Sequence, residues 1–345
     1  MDITSEAKYL SQSLFSRMAW EHQCKPLLHM NEIKTGLGTE RSLDKLFTSF
    51  DSEEYAQKFI ELYKPYYEQV LLAGNRTLKV YQLDADKFQQ VKDAYSAVVV
   101  GDGVDKDFFP YYIDEDNIQH LGNEAKLTHI SEVYEKTYFY FSTNRSITEK
   151  LDLNASVFGD NQEIVDFLGN YSKVTAFTDK SRQYIDIVCL NEADNTIELR
   201  LDTSSAVAKK DIDLLFRGVQ EAFIGLIPKR LDFTVFSQSM NFFPWIEGLY
   251  NDENCRVVEL SFTTDDGYIE KCDINPYRIS ARWTGDFTAD LNYEYEMSLN
   301  SSVRELSKSD AGLLQHAIIS MCPSEKDVDS LLAILKKTNE LSETN

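Results

Sequence analysis

Phe287-Thr288-Ala289-Asp290-Leu291-Asn292-Tyr293-Glu294-Tyr295-Glu296-Met297-Ser298-Leu299 decides the fold class. Every odd position is apolar, and Asp290, Asn292, Glu294 and Glu296 hold even ones. A period of two belongs to a strand with one buried and one polar face. Just upstream, Tyr277–Trp283 continues the pattern. Before it, Arg256–Thr263, the turn Asp265-Asp266-Gly267 and Tyr268–Ile274 read as two strands joined at an Asp-Gly turn. Together these segments predict an antiparallel meander. Asp232–Phe236 is strand-like, and Pro244–Tyr250 reads as a short helix with proline in its first turn. Downstream, Leu313, Leu314, Ile318 and Met321, then Val328, Leu331, Leu332 and Leu335, predict two amphipathic helices packed on the sheet. The tail from Thr338 is polar and is expected to fray.

Further upstream, Ile185, Ile187 and Cys189 alternate with other residues, as do Ile197, Leu199 and Leu201. That reads as a hairpin. If both odd sets face one core, the loop has odd length, for example Glu192–Asp194. Asp186 then stands opposite Arg200 in a solvated ion pair. Asp211–Ile227 is an amphipathic helix, with Asp202 or a nearby Ser/Thr as its cap. Gln162–Leu168 reads as helix and Val133–Ser142 as strand. In the first part, helices are expected over Ser5–Trp20, from Ser52 onward and over Ala85–Tyr95, with a loop at 31–42 and a strand at Thr77–Leu83. Pro65 should kink or break the second helix.

These readings define an α+β protein. A mixed helical and strand part spans 1–126, with its boundary in the acidic, turn-rich stretch 102–126. An α+β part with the antiparallel meander and its packed helices spans 127–338, and a frayed tail covers 339–345.

The 345 residues carry 35 Lys+Arg against 57 Asp+Glu, a net charge of −22. Such a surface repels phosphate backbones and anionic lipid, so nucleic-acid and membrane partners are disfavoured and a basic protein partner is favoured. The apolar runs fall far short of the ~20 residues of a membrane helix. The first residues lack the basic and apolar regions of a signal peptide. Cys24, Cys189, Cys255, Cys272 and Cys322 are odd in number and widely spaced, which predicts reduced thiols in a cytoplasmic protein.

Candidate sites are few. Asp186 with Glu198-Leu199-Arg200 resembles in outline the Asp…Glu-x-Lys arrangement of metal-dependent nucleases, with Asp202 as a further carboxylate. Arg200 stands where that chemistry wants a lysine, so the ion pair is the simpler reading. Arg278 and Arg282 beside Asp290 and Glu294 suit an arginine–carboxylate ladder better than an anion strip. His22 and Cys24 have no second ligand pair at zinc spacing, so no metal is expected. Gly36-Leu37-Gly38 and Gly101-Asp102-Gly103 lack a third glycine, no GK[ST] follows either, and Asp102, Asp105 and Asp107 would repel phosphate. No cofactor is expected. No Gly-x-Ser-x-Gly elbow occurs. Phe242, Phe243, Trp245 and Tyr250 crowd one short stretch. Core packing explains most of them, and the rest are candidate interface anchors.

Phe243-Pro244-Trp245-Ile246-Glu247-Gly248-Leu249-Tyr250, followed by Arg256-Val257-Val258-Glu259-Leu260-Ser261-Phe262-Thr263-Thr264, resembles a segment of uncharacterised bacterial proteins. The resemblance implies a bacterial origin and an α+β C-terminal part, and it brings no chemistry with it. Proteins of that kind often serve in multi-gene systems, phage defence among them. The expectation is a non-enzymatic protein-binding component, a sensor or adaptor. The alternatives are a metal-dependent nuclease with a degenerate Asp…Glu-x-Arg site, and an acidic nucleic-acid mimic.

Overall fold

The computed structural model describes residues 1–113, 115–153, 163, 166–167, 174–205, 209–227, 233–253, 255–264, 274–288, 291–301 and 313–342. Its strands are β1 (Arg76–Gln82), β2 (Lys126–Val133), β3 (Lys136–Leu153), β4 (Val174–Asn191), β5 (Thr196–Asp202), β6 (Arg256–Thr264), β7 (Ile274–Thr288), β8 (Leu291–Asn300) and β9 (Ala317–Ser320). They form one antiparallel sheet in the order β2-β3-β4-β5-β1-β9-β8-β7-β6. With its helices the protein is α+β, as the alternation at Tyr293–Leu299 requires. The stretch 102–126 does not divide the sheet. β1, which precedes it, is hydrogen-bonded between β5 and β9, which follow it.

Helices α1 (Ile3–Arg17), α2 (Lys25–Met30), α3 (Gly38–Ser49) and α4 (Glu53–Leu72) form an N-terminal layer, with a π-turn at Trp20–Cys24. Ser52 caps α4 by accepting from Tyr55 N, and Glu53 and Glu54 suit its positive end. α4 runs unbroken through Pro65, so the expected break does not occur. The stretch expected as loop at 31–42 already begins α3 at Gly38. After β1 come α5 (Ala85–Tyr95) and the short α6 (Val104–Phe108) and α7 (Glu115–Ile118). α8 (Lys209–Gly225), α9 (Trp245–Tyr250) and α10 (Glu325–Ser342) complete the set.

One face of the sheet is covered over β3–β5, β1 and β9–β7 by helices. Leu78, Ile279, Met297, Leu299 and Ile319 pack beneath α9 and α10, through Trp245, Leu249, Leu331 and Leu335. On the same face, Tyr138, Tyr140, Ile185, Ile187 and Cys189 meet Leu71 and Leu72 of α4. The other face is covered where β2–β5 and β1 lie. There Phe139, Phe141, Val188, Ile197, Leu199 and Leu201 meet α5 and α8. Over β6–β8 it carries charge instead. Arg256 meets Glu294 at 2.9 Å, Arg282 meets Glu296 at 2.9 Å and Glu294 at 3.5 Å, and Arg278 meets Glu259 at 3.4 Å. The arginine ladder is present, with Glu259 rather than Asp290 as the partner seen for Arg278; Asp290 lies outside the described residues.

Several expectations need correction. The β4–β5 loop has four residues, 192–195, with Asn195 in the left-handed region at φ 53°. The register therefore pairs Ile187 with Arg200 and Cys189 with Glu198. Ile187 and Leu199 face opposite sides, each into its own core, and Asp186 is not opposite Arg200. Both lie buried rather than in solvent. Apolar parity misleads here because both faces of this hairpin are covered. Phe233–Phe236 is a 3-10 turn, not a strand. Phe287 lies in β7, one residue before its end at Thr288, instead of opening the next strand. The first expected C-terminal helix is β9, where Ala317 and Ile319 alternate with Ile318 and Ser320. The second, α10, continues to Ser342, past the expected fraying point. Asp202 does not cap α8; it accepts from Ser204 N at 3.1 Å. The 265–267 turn, most of the Tyr268–Ile274 strand, most of the Gln162–Leu168 helix and Cys272 lie outside the described residues.

Phe223 of α8 sits at the centre of the doubly covered half. Its ring stacks on Tyr95 at 3.9 Å and meets Phe139 at 5.3 Å and Phe236 at 6.2 Å. Replacing it with alanine should cost about 3–5 kcal/mol, read as a lowered urea midpoint with an unchanged slope.

Candidate ligand groove

The edge hairpin β2–β3 turns through two residues, Tyr134 and Glu135. Tyr134 is held in the left-handed region at φ 55° and is fully exposed. Glycine or asparagine serves such a position best, and a tyrosine gains no packing here to offset the strain. β2 bulges at Thr128, between the Leu127–Phe141 and His129–Tyr140 pairs. His129, Ser131 and Val133 thus share a face with Tyr140, Tyr138 and Lys136.

That face is the floor of a groove of about 1480 Å³. One wall is the C-terminal half of α4, from Lys64 to Leu72. A second is the first half of α10, from Glu325 to Ala333. The segments Val98–Val100 and Phe109–Pro110 close the side along β2. Val99, Val133 and Tyr134 are exposed hydrophobics that line it. His129 stacks on Phe109 at 4.5 Å, and burial pushes its pKa down. The volume exceeds the few hundred cubic ångströms that suit a small metabolite, and it suits a chain segment.

Beneath the floor, charges neutralise one another. Arg200 Nε donates to Glu198 at 3.0 Å, and Nη2 donates to Glu325 at 2.8 Å. Lys136 pairs with Glu325 at 2.6 Å and also with Asp329. Tyr138 Oη donates to Glu325 at 2.8 Å, and Asn191 Nδ2 to Glu198 at 3.5 Å. Burial alone would raise the Glu325 carboxyl, but Arg200 and Lys136 outweigh it and hold it down at about 2. Burial would likewise lower Lys136, yet the nearby Glu325 and Glu198 raise it. Burial and Glu325 raise Tyr138, so its phenol stays protonated. Burial above all lifts the Cys189 thiol, so no thiolate forms beneath the floor. At neutral pH the floor therefore holds fixed charges that are already paired.

The nuclease candidates are not brought together. Asp186 faces the α5–α8 side, pairs with Arg145 and accepts from Asp202 N at 2.9 Å. Glu198 and Arg200 face the α4–α10 side. Asp202 takes Arg17, Ile185 N and Ser204 N. Among the described residues no group of three or more His, Cys, Asp or Glu could hold a metal ion. Cys24, Cys189, Cys255 and Cys322 are free thiols, and among the described residues no helix is long and apolar enough to cross a membrane. Of the interface candidates, Phe242 and Trp245 are fully buried in the α9 core, in edge contact at 4.7 Å. Phe243 packs partly against that core, and only Tyr250 is exposed. The groove residues escaped sequence reading. The Val98–Val100 run and the aromatic Val133–Ser142 stretch were legible as β-prone, but not as neighbours. No family model matches the chain, and comparison with curated proteins found no match.

Glu325 sets a pH dependence. Its folded pKa of about 2 lies below the ordinary 4.5, so the unfolded chain binds more protons between those values. Its contribution is complete above pH 4.5 and is lost as pH falls through about 2. The size is about 3 kcal/mol. Asp329, raised by burial and Glu325, acts in the opposite sense. Glu325→Gln should cost about 3 kcal/mol at neutral pH, because Arg200 and Lys136 lose a charged partner in a buried setting. It should also flatten the acid limb of stability, measured by urea unfolding from about pH 7 to about pH 2.5.

Proposed function

We propose that the protein is a non-enzymatic binding component, a cytoplasmic sensor or adaptor in a bacterial multi-protein system, and that it grips an extended, basic segment of a partner protein in this groove. The observation that carries the reading is Tyr134. A bulky ring is held in a disfavoured backbone conformation, without packing, at the rim of a groove of about 1480 Å³. Strain kept without a packing return points to a task outside the fold. Exposed Val99 and Val133 beside it supply the apolar contact that anchors a partner.

The chemistry of the segment follows from its surroundings. Residues from both faces of β2 line the groove, so it wraps the outer edge of that strand. An extended chain could add its backbone hydrogen bonds there. Glu68 and Glu135 are exposed at the rim with no ion pair among the described residues, against one such ammonium at Lys326, in a chain of net charge −22. That balance favours lysine and arginine in the occupant. It also favours a protein over a nucleic acid. The nuclease reading draws no support from carboxylates that face opposite sides of a sheet, each closed by an arginine. Dispersed, largely paired carboxylates lend little to a nucleic-acid mimic.

The test uses three forms of the full chain and a partner cross-linked through a photoreactive residue in place of Tyr134. The groove variant combines Tyr134→Gly with Val133→Asp; the control is Tyr250→Asp, on α9. The groove variant should stay folded and lose the partner, and the control should keep it. Retention by the groove variant, or loss by the control alone, would place docking elsewhere. The wild-type complex should also weaken several-fold between about 50 and about 500 mM salt, as ionic attraction is screened.

A further inference from the structure

Away from the groove, the ends of α1 and β5 meet the start of β1 in a cluster of arginines. Arg17 and Arg76 are 5% and 2% exposed, and Asp202 and Asp186 are 1% and 0% exposed. Arg145 and Arg182 both lie over the ring of Tyr184, at 4.6 and 5.9 Å. Arg17 pairs with Asp202, and Arg145 pairs with Asp186. The other two have neutral acceptors. Arg76 donates to Ile185 O at 2.6 Å and to Leu71 O, and Arg182 donates to Ser205 Oγ at 2.5 Å and to Ser16 O. Cations outnumber anions here, inside a protein whose surface is strongly acidic. Burial, with Arg17 and Arg200 nearby, pushes the Arg76 guanidinium down from its ordinary value despite Asp202 and Asp186.

Arg17, Val70, Asn75, Arg76, Asp202 and Ser204 line a void of about 10 Å³. Among the described residues, four buried polar atoms of this lining have no partner in good hydrogen-bond geometry: Arg17 Nε, Arg17 Nη2, Arg76 Nε and Ser204 Oγ. All four can donate. The acceptors of the same lining are engaged. Asp202 Oδ2 takes Arg17 and Ile185 N, Asp202 Oδ1 takes Ser204 N, and Asn75 Oδ1 takes Met321 N. Tyr67, whose hydroxyl donates to Pro110 O at 2.6 Å, keeps a lone pair toward Arg17 that favours its charge and can take one of its N–H groups, which leaves the other donors to the void.

The occupant of such a void accepts hydrogen bonds, has no need to donate, carries negative charge and is monatomic. A water molecule accepts two bonds, finds little to donate to and leaves the charge excess in place. Sulfate and phosphate are too large for a space that holds roughly one water-sized body. We propose that this void is a binding site for a single halide ion, chloride in the cell, held by Arg17, Arg76 and Ser204. Bound there, chloride joins the last turn of α1 to the first residue of β1 and the residues after β5. It clamps the N-terminal helical layer to the middle of the sheet.

The experiment compares urea unfolding of the full chain in sodium chloride and sodium gluconate at equal ionic strength. Above the dissociation constant, the folded-to-unfolded ratio should rise about tenfold for each tenfold increase in chloride, the slope of one bound ion. Bromide should act as chloride does, and gluconate should have no effect. Ser204→Ala, which removes one donor and leaves the arginines in place, should remain folded in gluconate and need several-fold more chloride for the same gain. Crystals grown in bromide should show one anomalous peak between Arg17 and Arg76. Equal stability of the wild type in chloride and gluconate, or bromide crystals without that peak, would overturn the assignment. So would a chloride response unaltered in Ser204→Ala.

Discussion

Arg200 is the pin on which the architecture turns. Its guanidinium is completely buried on β5, between Glu198 of the same strand and Glu325 at the first residue of α10. A further N–H reaches Leu72 O, at the end of α4, at 3.3 Å. A charge taken this far from water is costly unless its partners are all in place, so a small shift of any one of them is penalised strongly. The result is alignment. The end of α4 and the start of α10 are held at one point over β5, and Lys136 brings the edge hairpin to the same Glu325. Glu325 also suits the positive end of α10. The groove lies where these two helices meet above β2 and β3.

The sheet obeys a second constraint, because its two halves are covered differently. Around β5, β1 and the adjoining inner parts of β3 and β4, both faces are buried, so the chain there carries apolar residues at odd and even positions alike. Their few charges are fixed in internal pairs. Around β6–β8 one described face meets solvent, and the alternation is clean, with arginines and glutamates laddered across it. The rule that organises the strands is thus local to each half, and β1 and β9 join the two.

This division explains what could be read beforehand. β8 was legible because one face is wet, and Tyr293, Tyr295, Met297 and Leu299 betray the other. α5 was legible from end to end because Asp84 caps it, accepting from Lys87 N, and Phe88, Val91 and Tyr95 lie on one side. The β4–β5 register was not legible. Ile187 and Leu199 look alike in sequence, and only the four-residue turn at Asn195 tells that they face apart. β9 has four residues, and the spacing of Leu314, Ile318 and Met321 imitates a helix until the sheet claims Ala317–Ser320. The groove was hidden for another reason. Its walls come from segments far apart in the chain, and its most informative residue differs from an ordinary surface tyrosine only by the sign of one backbone angle.

The central place of β1 has a consequence for how the molecule is made. On a ribosome, β1 emerges early, and one of its edges can pair with β5 once Thr196–Asp202 has been synthesised. The other edge has to wait for Ala317–Ser320, the last of the nine strands to be made. Until then the nascent protein presents an open strand edge beside unfinished helical cover, the arrangement most prone to pairing with a stranger. Arg200 waits as well, because Glu325 is made later still. Closure of the sheet and neutralisation of that buried charge are therefore nearly simultaneous events, and both wait until the other eight strands have been made.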